Sequence, residues 1–329
     1  MAYNTKDLAA MSSRSIYGVW VAMHAQTGPL IRVHPPTALI DVCRSIQLHG
    51  FLPAQPVEVA ATLREHDGRV WRSCATFLTD GDGSVDLATA APISGSYRHP
   101  SAMGLVWSMH LEEGGPGLDS SISPEAVVSQ VIRLEARQPD GAVTATDFEQ
   151  CFLAPGVTRC EIHEDGVVGV LFTPPEHGPH PLIIQLTGSS GGVSQRRAAL
   201  FAAHDYQALA LGYFGLPGLP DYITRTPLEY FERTLAWARR NLEPANGFIA
   251  FCGASRGAEV GLLLGATFPE MINAVIGYAP SVFTNGALSA GRPGEDRHTP
   301  CWTYRGQDLP VLCGDRGPAV LDGERIGNL

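Results

Sequence analysis

Phe248-Ile249-Ala250-Phe251-Cys252 runs directly into Gly253-Ala254-Ser255-Arg256-Gly257, and a helix is predicted to follow over Ala258 to Phe268. The first five residues are apolar throughout, as suits a strand in the middle of a covered sheet. A strand, then Gly-X-Ser-X-Gly, then a helix is the arrangement of a nucleophile elbow. The Ser must occupy a strained turn, so small residues are needed on both sides as the chain reverses. Its hydroxyl then stands exposed at the C-terminal edge of the sheet, and the amide of Arg256 faces it from the first turn of the helix. Gly-X-Ser-X-Gly alone is a weak signal, and its strand-helix setting makes it a specific one. Ser255 is the candidate nucleophile.

An oxyanion hole needs a second amide, expected from the loop after an earlier central strand. Pro181-Leu182-Ile183-Ile184-Gln185-Leu186 reads as such a strand, and Thr187-Gly188-Ser189-Ser190-Gly191-Gly192 follows it. The glycines let the backbone approach a reacting carbon and turn N–H groups inward. The amide of Ser189 or its neighbour Ser190 is the candidate donor, with Gly188 and Ser190 against the substrate. No Lys follows the glycines, which argues against a phosphate-binding loop. Tyr213 and Phe214, after the predicted strand Tyr206 to Leu211, are candidates to line the acyl side of the site or to pack. Glu259, one helical turn beyond Ser255, is expected to support the elbow or to form a salt bridge.

The surrounding elements alternate. Strands are predicted at Val167 to Phe172, Pro181 to Leu186, Tyr206 to Leu211, Phe248 to Cys252 and Ala274 to Tyr278. Helices are predicted at about Gln195 to His204 and from Pro227 to about Leu242. This is an α/β sheet built by crossovers, and with the elbow it reads as an α/β-hydrolase fold. The N-terminal half has another texture. Ser45 to His49, Val57 to Leu63 and Val70 to Phe77 alternate with period two, and Asp67-Gly68 between the last two is a hairpin signal. Short strands at this spacing predict a β-sandwich. The expected organisation is an N-terminal extension over residues 1–28, a sandwich domain over 29–155 and the α/β-hydrolase domain over 156–329.

Composition narrows the function classes. In 329 residues the formal net charge is -10, and no Lys/Arg run exceeds two residues, which argues against a nucleic-acid partner. No apolar run is long enough to span a membrane. The seven Cys are odd in number and lack CxxC spacing, so a reducing, cytoplasmic compartment is expected. The His residues lack metal-ligand spacing, so neither a metal nor a cofactor is expected. Beyond Ser255 the sole His is His298, within Gly294-Glu295-Asp296-Arg297-His298. Asp315 could end a strand and serve as the acid. If both served, their order would be reversed from the usual Ser, acid, His order of this fold.

The chain resembles the acyl-CoA thioesterase and bile-acid-CoA:amino-acid N-acyltransferase family. In the first domain the resemblance rests on Gly95-Ser96-Tyr97 and on Met103 to Met109. In the second it rests on Thr187 to Gly192, Ala210 to Gly215, Leu228 to Phe231, Gly253 to Glu259 and Trp302 to Gly306. It implies an immunoglobulin-like N-terminal domain and chemistry on acyl thioesters through an acyl-enzyme. Ser rather than Cys at the elbow favours transfer to water; transfer to an amine or alcohol, and a non-catalytic fold that binds an acyl chain or a partner protein, are the alternatives. The thiol is that of coenzyme A or a carrier protein, and Arg256 is the nearest basic residue for coenzyme A phosphates. The resemblance also implies a C-terminal region carrying the triad Asp and His, which Cys313 to Leu329 does not match. A shortened sheet would expose an apolar edge, for which a homo-oligomer contact or residues 1–28 are the expected cover.

Overall fold

In Pro56–Arg64, and in Val70–Leu78 from Ser73 onward, every second side chain is buried, as period-two alternation requires of strands that cover a core on one face. The two pair antiparallel along their whole length. Their connection places Gly68 at φ 92°, where a glycine costs nothing, and closes with Gly68 N–H donating to Glu65 O at 3.0 Å. The computed structural model describes residues 28–112 and 126–311. Within them the hairpin belongs to a sheet ordered Thr37–Leu39, Val143–Cys151, Gln130–Arg137, Pro56–Arg64, Val70–Leu78, Ser94–Gly95, with His110–Leu111 also paired to Val70–Leu78. A smaller sheet of Leu30–His34, Ser45–His49 and Val85–Asp86 lies opposite. Ile46, Leu48 and Val85 from the small sheet share one apolar core with Val57, Phe77, Ile132 and Leu134 from the large one. The first of the motifs quoted above finds a steric reason here. A Cβ on Gly104 would lie 2.2 Å from the ring of Tyr97, so Gly104 is what lets the short helix Gly104–Trp107 lie on that ring.

The second sheet runs Thr158–Glu164, Val167–Thr173, Gln207–Leu211, Leu182–Leu186, Ile249–Ala254, Ala274–Tyr278. Its first three strands pair antiparallel and the last four are mutually parallel. This is an α/β-hydrolase topology. Leu182–Leu186 is buried at every residue because helices cover both faces. Leu182, Ile184 and Leu186 meet Phe231, Leu235, Val260 and Leu264 of helices Leu228–Asn241 and Arg256–Thr267. On the other face, Ala208 and Ala210 of the adjoining strand Gln207–Leu211 pack with Ala198, Ala199 and Ala202 of helix Gln195–Ala202. Each fully buried Leu, Ile or Phe contributes about 1.5–3 kcal/mol.

Element boundaries differ from expectation in two informative places. The helix after the Ser begins at Arg256, because the amides of Ala258 and Glu259 both reach the carbonyl of Ser255, at 3.0 and 2.9 Å. The helix expected to begin at Pro227 begins at Leu228, and Pro227 keeps extended backbone beside the strand Trp302–Tyr304. The edge strand Ala274–Tyr278 leaves Ile276 and Tyr278 exposed, as periodicity on its own would not predict. Of residues 1–28, expected as a cover for such an edge, all but Gly28 lie outside the described residues. Among the described residues, no helix is long and apolar enough to cross a membrane.

Helix Gln195–Ala202 also fastens the sheet to the sandwich. Arg196 donates to Glu65 at 3.1 Å and to Ala126 O at 3.1 Å, with its guanidinium over the ring of Phe152. Glu65 further accepts from Trp71 Nε1 at 3.0 Å and pairs with Arg69 at 3.0 Å. The helix that follows the glycine loop is thereby held from the other half of the molecule.

Candidate active site

Ser255 has φ 52° and ψ -116° at the junction of strand Ile249–Ala254 and helix Arg256–Thr267. A non-glycine residue held there costs about 1–3 kcal/mol, which its surroundings must over-determine. They do so sterically. A Cβ on Gly253 would sit 2.3 Å from the carbonyl of Gly257, and a Cβ on Gly257 would sit 2.3 Å from Thr187 O. Ser255 N–H donates to Tyr278 O at 2.9 Å, which prolongs the ladder between the strand ends and fixes the turn. The Ser255 side chain is exposed. It stands at the N-terminus of a twelve-residue helix, where the dipole is positive and the first-turn amides lack intrahelical acceptors. The N–H of Arg256 is the first of these amides.

The glycine loop comes to the same place. A Cβ built on Gly188 would lie 3.2 Å from Ser255 Cβ and 3.8 Å from its Oγ, so a side chain at that position would crowd Ser255. Within the loop, Gly191 N–H donates to Gly188 O at 3.3 Å and Gly192 N–H donates to Phe214 O at 3.2 Å. Those two amides are spent on holding the turn. Ser189 and Ser190 remain at its exposed tip.

Tyr213 and Phe214, expected either to line the acyl side or to pack, lie behind the loop. The Tyr213 hydroxyl donates to Thr187 O at 2.9 Å, with Gly188 O at 3.4 Å. Its ring is 1% exposed, among Phe214, Phe231 and Trp302. Burial pushes its phenol upward, so the hydroxyl stays a donor. A Cβ on Gly191 would lie 2.9 Å from the Phe214 ring, which explains the glycine at that position.

The side chain of Arg256 corrects one expectation. It is 5% exposed and its Nη1 donates to Glu259 Oε2 at 2.6 Å, with Nη2 on Gly286 O. A guanidinium buried in an ion pair is not available to a coenzyme A phosphate, so only the backbone of Arg256 remains in the candidate site. Glu259 takes the salt-bridge role expected of it and three further hydrogen bonds besides. Asn285 N–H and Nδ2 donate at 3.0 and 2.7 Å, and Trp302 Nε1 at 2.8 Å. Asn285 was not legible in the sequence as part of this site, because no spacing links residues that meet across a fold.

His298 lies in the segment packed on Gly286, where a Cβ would come 2.6 Å from His298 Cα. The backbone N–H of His298 donates to Asp296 Oδ1 at 2.9 Å. Among the described residues, no hydrogen bond joins it to Ser255. Asp315 lies outside the described residues.

Two family models match the chain: the acyl-CoA thioester hydrolase/BAAT N-terminal region over residues 41–164, and the BAAT/acyl-CoA thioester hydrolase C-terminal region over residues 226–293. The chain belongs to the acyl-CoA thioester hydrolase/BAAT family. The C-terminal match includes Ser255, Arg256, Glu259 and Asn285, and the glycine loop falls between the two matched stretches. Similar relatives include acyl-coenzyme A thioesterase 1 of Rattus norvegicus, 35% identical over 75% of this chain and 58% of that one. Acyl-coenzyme A thioesterase 2, mitochondrial, of Rattus norvegicus is 34% identical over 81% of this chain and 58% of that one. The peroxisomal succinyl-coenzyme A thioesterase of Mus musculus is 32% identical over 73% and 57%. The chain thus spans somewhat over half the length of these relatives. Among solved structures there is similarity to an S-formylglutathione hydrolase from Agrobacterium tumefaciens, 15% identical over 39% of this chain and 60% of that one, with a TM-score of 0.32; the topology above stands on its own strand order.

Proposed function

We propose that this family member hydrolyses acyl-coenzyme A thioesters through an acyl-enzyme at Ser255. The observation that carries the reading is the strained Ser255 with the glycine loop against it, in a chain whose relatives are named as acyl-coenzyme A thioesterases. Ser255 Oγ attacks the thioester carbonyl as its proton passes to a base, and the C–O bond forms. The carbonyl oxygen becomes an anion held by the amides of Arg256 and of Ser189 or Ser190. One such donor contributes about 10²–10³ in rate. Collapse breaks the C–S bond and the thiolate is protonated; water, giving a proton to the base, then adds to the acyl carbon, and the second collapse breaks the C–Oγ bond, reprotonates Ser255 Oγ and releases the acid. His298 and Asp315 are this chain's own candidates for base and acid. In this reading the sandwich is the immunoglobulin-like N-terminal domain of the family, and its contact through Arg196 steadies the helix after the glycine loop.

Intact-protein mass after brief incubation with acyl-coenzyme A and acyl-pantetheine series tests this, with Ser255→Ala as control. The expected result is an acyl adduct or thiol release that disappears in the variant. Neither adduct nor release from any thioester overturns the reading in favour of a binding role. Accumulation of an amide or ester when amines or alcohols are added would make the protein an acyltransferase.

A further inference from the structure

We propose that Glu259 is a positioning residue that aims the Arg256 amide at the oxyanion, an inference that rests on Ser255 being the nucleophile. Glu259 is 3% exposed and lies four residues after Ser255, with its own N–H on Ser255 O at 2.9 Å. Both carboxylate oxygens are fully used. Oε2 accepts from Arg256 Nη1 at 2.6 Å and Asn285 Nδ2 at 2.7 Å, while Oε1 accepts from Trp302 Nε1 at 2.8 Å and Asn285 N at 3.0 Å. These donors arrive from three places. Arg256 is on the helix itself, Asn285 is on the segment after the edge strand, and Trp302 is on a strand that pairs with Thr226 ahead of the next helix. The carboxylate is therefore the point at which the first turn of the elbow helix is tied to its surroundings.

A buried ion pair is a poor way to gain stability, since apolar residues of the same volume often do as well or better. What an apolar group cannot do is accept four hydrogen bonds from fixed directions. Electrostatics excludes the simpler account that Glu259 tunes the field at the site. A lone carboxylate one turn behind an oxyanion would oppose the developing charge, and the Arg256 guanidinium cancels it at 2.6 Å. The paired charges leave the helix dipole and the Arg256 amide as the positive pole. The role left to the pair is direction: with Arg256 held at both its backbone and its guanidinium, its amide has one orientation. Arg256 Nη2 on Gly286 O extends the same constraint to the segment on which His298 packs.

The test compares the wild type with Glu259→Gln, which keeps the volume and one acceptor but turns an NH2 group toward Arg256 and Asn285. Asn285→Ala removes the Nδ2 donor to Glu259 Oε2 while leaving the backbone N–H on Oε1 and the ion pair in place. Substrate turnover is measured beside the affinity of an acyl trifluoromethyl ketone, which forms a tetrahedral adduct, and of a non-hydrolysable thioether analogue, which does not. For Glu259→Gln, kcat is expected to fall ~10–100-fold with KM within about twofold, since small displacements of a donor act on the transition state. The ketone should weaken by the same factor and the thioether should not. Asn285→Ala should move the same quantities in the same direction by a smaller factor, and it decides the matter alone if Glu259→Gln fails to fold. Equal weakening of ketone and thioether, or a lower melting temperature with unchanged kcat, overturns the proposal and leaves Glu259 a purely structural residue. Absence of Ser255 labelling by a serine-directed phosphonate in the wild type is a different outcome. It removes the nucleophile reading itself, and the positioning role with it.

Discussion

At Gly257 a methyl group has no room. Its carbon would fall 2.3 Å from Thr187 O and 3.0 Å from Leu186 Cβ, both on the central strand and its loop. Gly257→Ala must therefore push the elbow helix away from the loop proposed to carry the second oxyanion donor. Overpacking of this kind costs about 1–3 kcal/mol. A lower melting temperature and slower phosphonate labelling of Ser255 are expected together. Normal labelling with an unchanged melting temperature would mean that the helix and the loop are not in contact as described. Much of this was legible beforehand. The motif Gly253 to Gly257 is legible as a strained turn because it joins an apolar run to a helix. Ser255 lies at the junction of strand and helix, Arg256 opens the helix and Gly188 lies against Ser255. Tyr213 and Phe214 were legible as neighbours of the site, but not as the residues that hold the loop from behind, because a hydroxyl aimed at Thr187 O leaves no trace in spacing.

Helix Gln195–Ala202 has eight residues, too few to be stable alone, and depends on what it touches. Its alanines pack on the sheet and its Arg196 reaches the sandwich at Glu65, whose side chain is 6% exposed. Glu65→Leu removes the acceptor for Arg69, Trp71, Gln130 and Arg196 at once. Loss of hydrogen bonds to a charged group costs about 1.5–3 kcal/mol. A lower urea midpoint is expected, with acylation slowed because the glycine loop leads straight into this helix. An unchanged midpoint would show that the apolar contacts of Phe152, Ile40 and Val127 suffice to join the two halves. The helices and strands themselves follow from period. Alternation in Pro56–Arg64 and an apolar run broken only by Gln185 in Leu182–Leu186 separate a one-faced from a two-faced strand, and the observed burial has the same pattern.

Over the whole molecule, buried phenols set a limit on alkaline stability. Burial pushes Tyr97 and Tyr230 from 10.0 up to about 12. In the unfolded chain these phenols ionise near 10, while in the folded protein they stay neutral to higher pH. Their contribution is thus complete below pH 10 and is lost as pH rises from 10 through 12. The melting temperature is expected to fall over that window, with phenolate absorbance appearing together with unfolding. Tyr230→Phe should flatten the fall, since Tyr230 is then no longer there to ionise. A wild-type melting temperature that stays level to pH 12 would mean that these phenols ionise without cost in the folded state.

The sequence by itself determined the α/β order of the second half, the strand alternation of the first, the tight turn at Ser255 between strand and helix, and the glycine loop. Each of these is local, written in the period of apolar residues or in glycines at a turn, so neighbouring residues suffice to state it. Only the tertiary structure decided that Arg256 turns its guanidinium inward, that Glu259 gathers Asn285 and Trp302 around it, and that Arg196 joins the helix to Glu65. These contacts join residues up to 131 positions apart. A side chain's partner at that distance depends on how sheets and helices stack, and a carboxylate in the sequence looks the same whether it meets water or four buried donors.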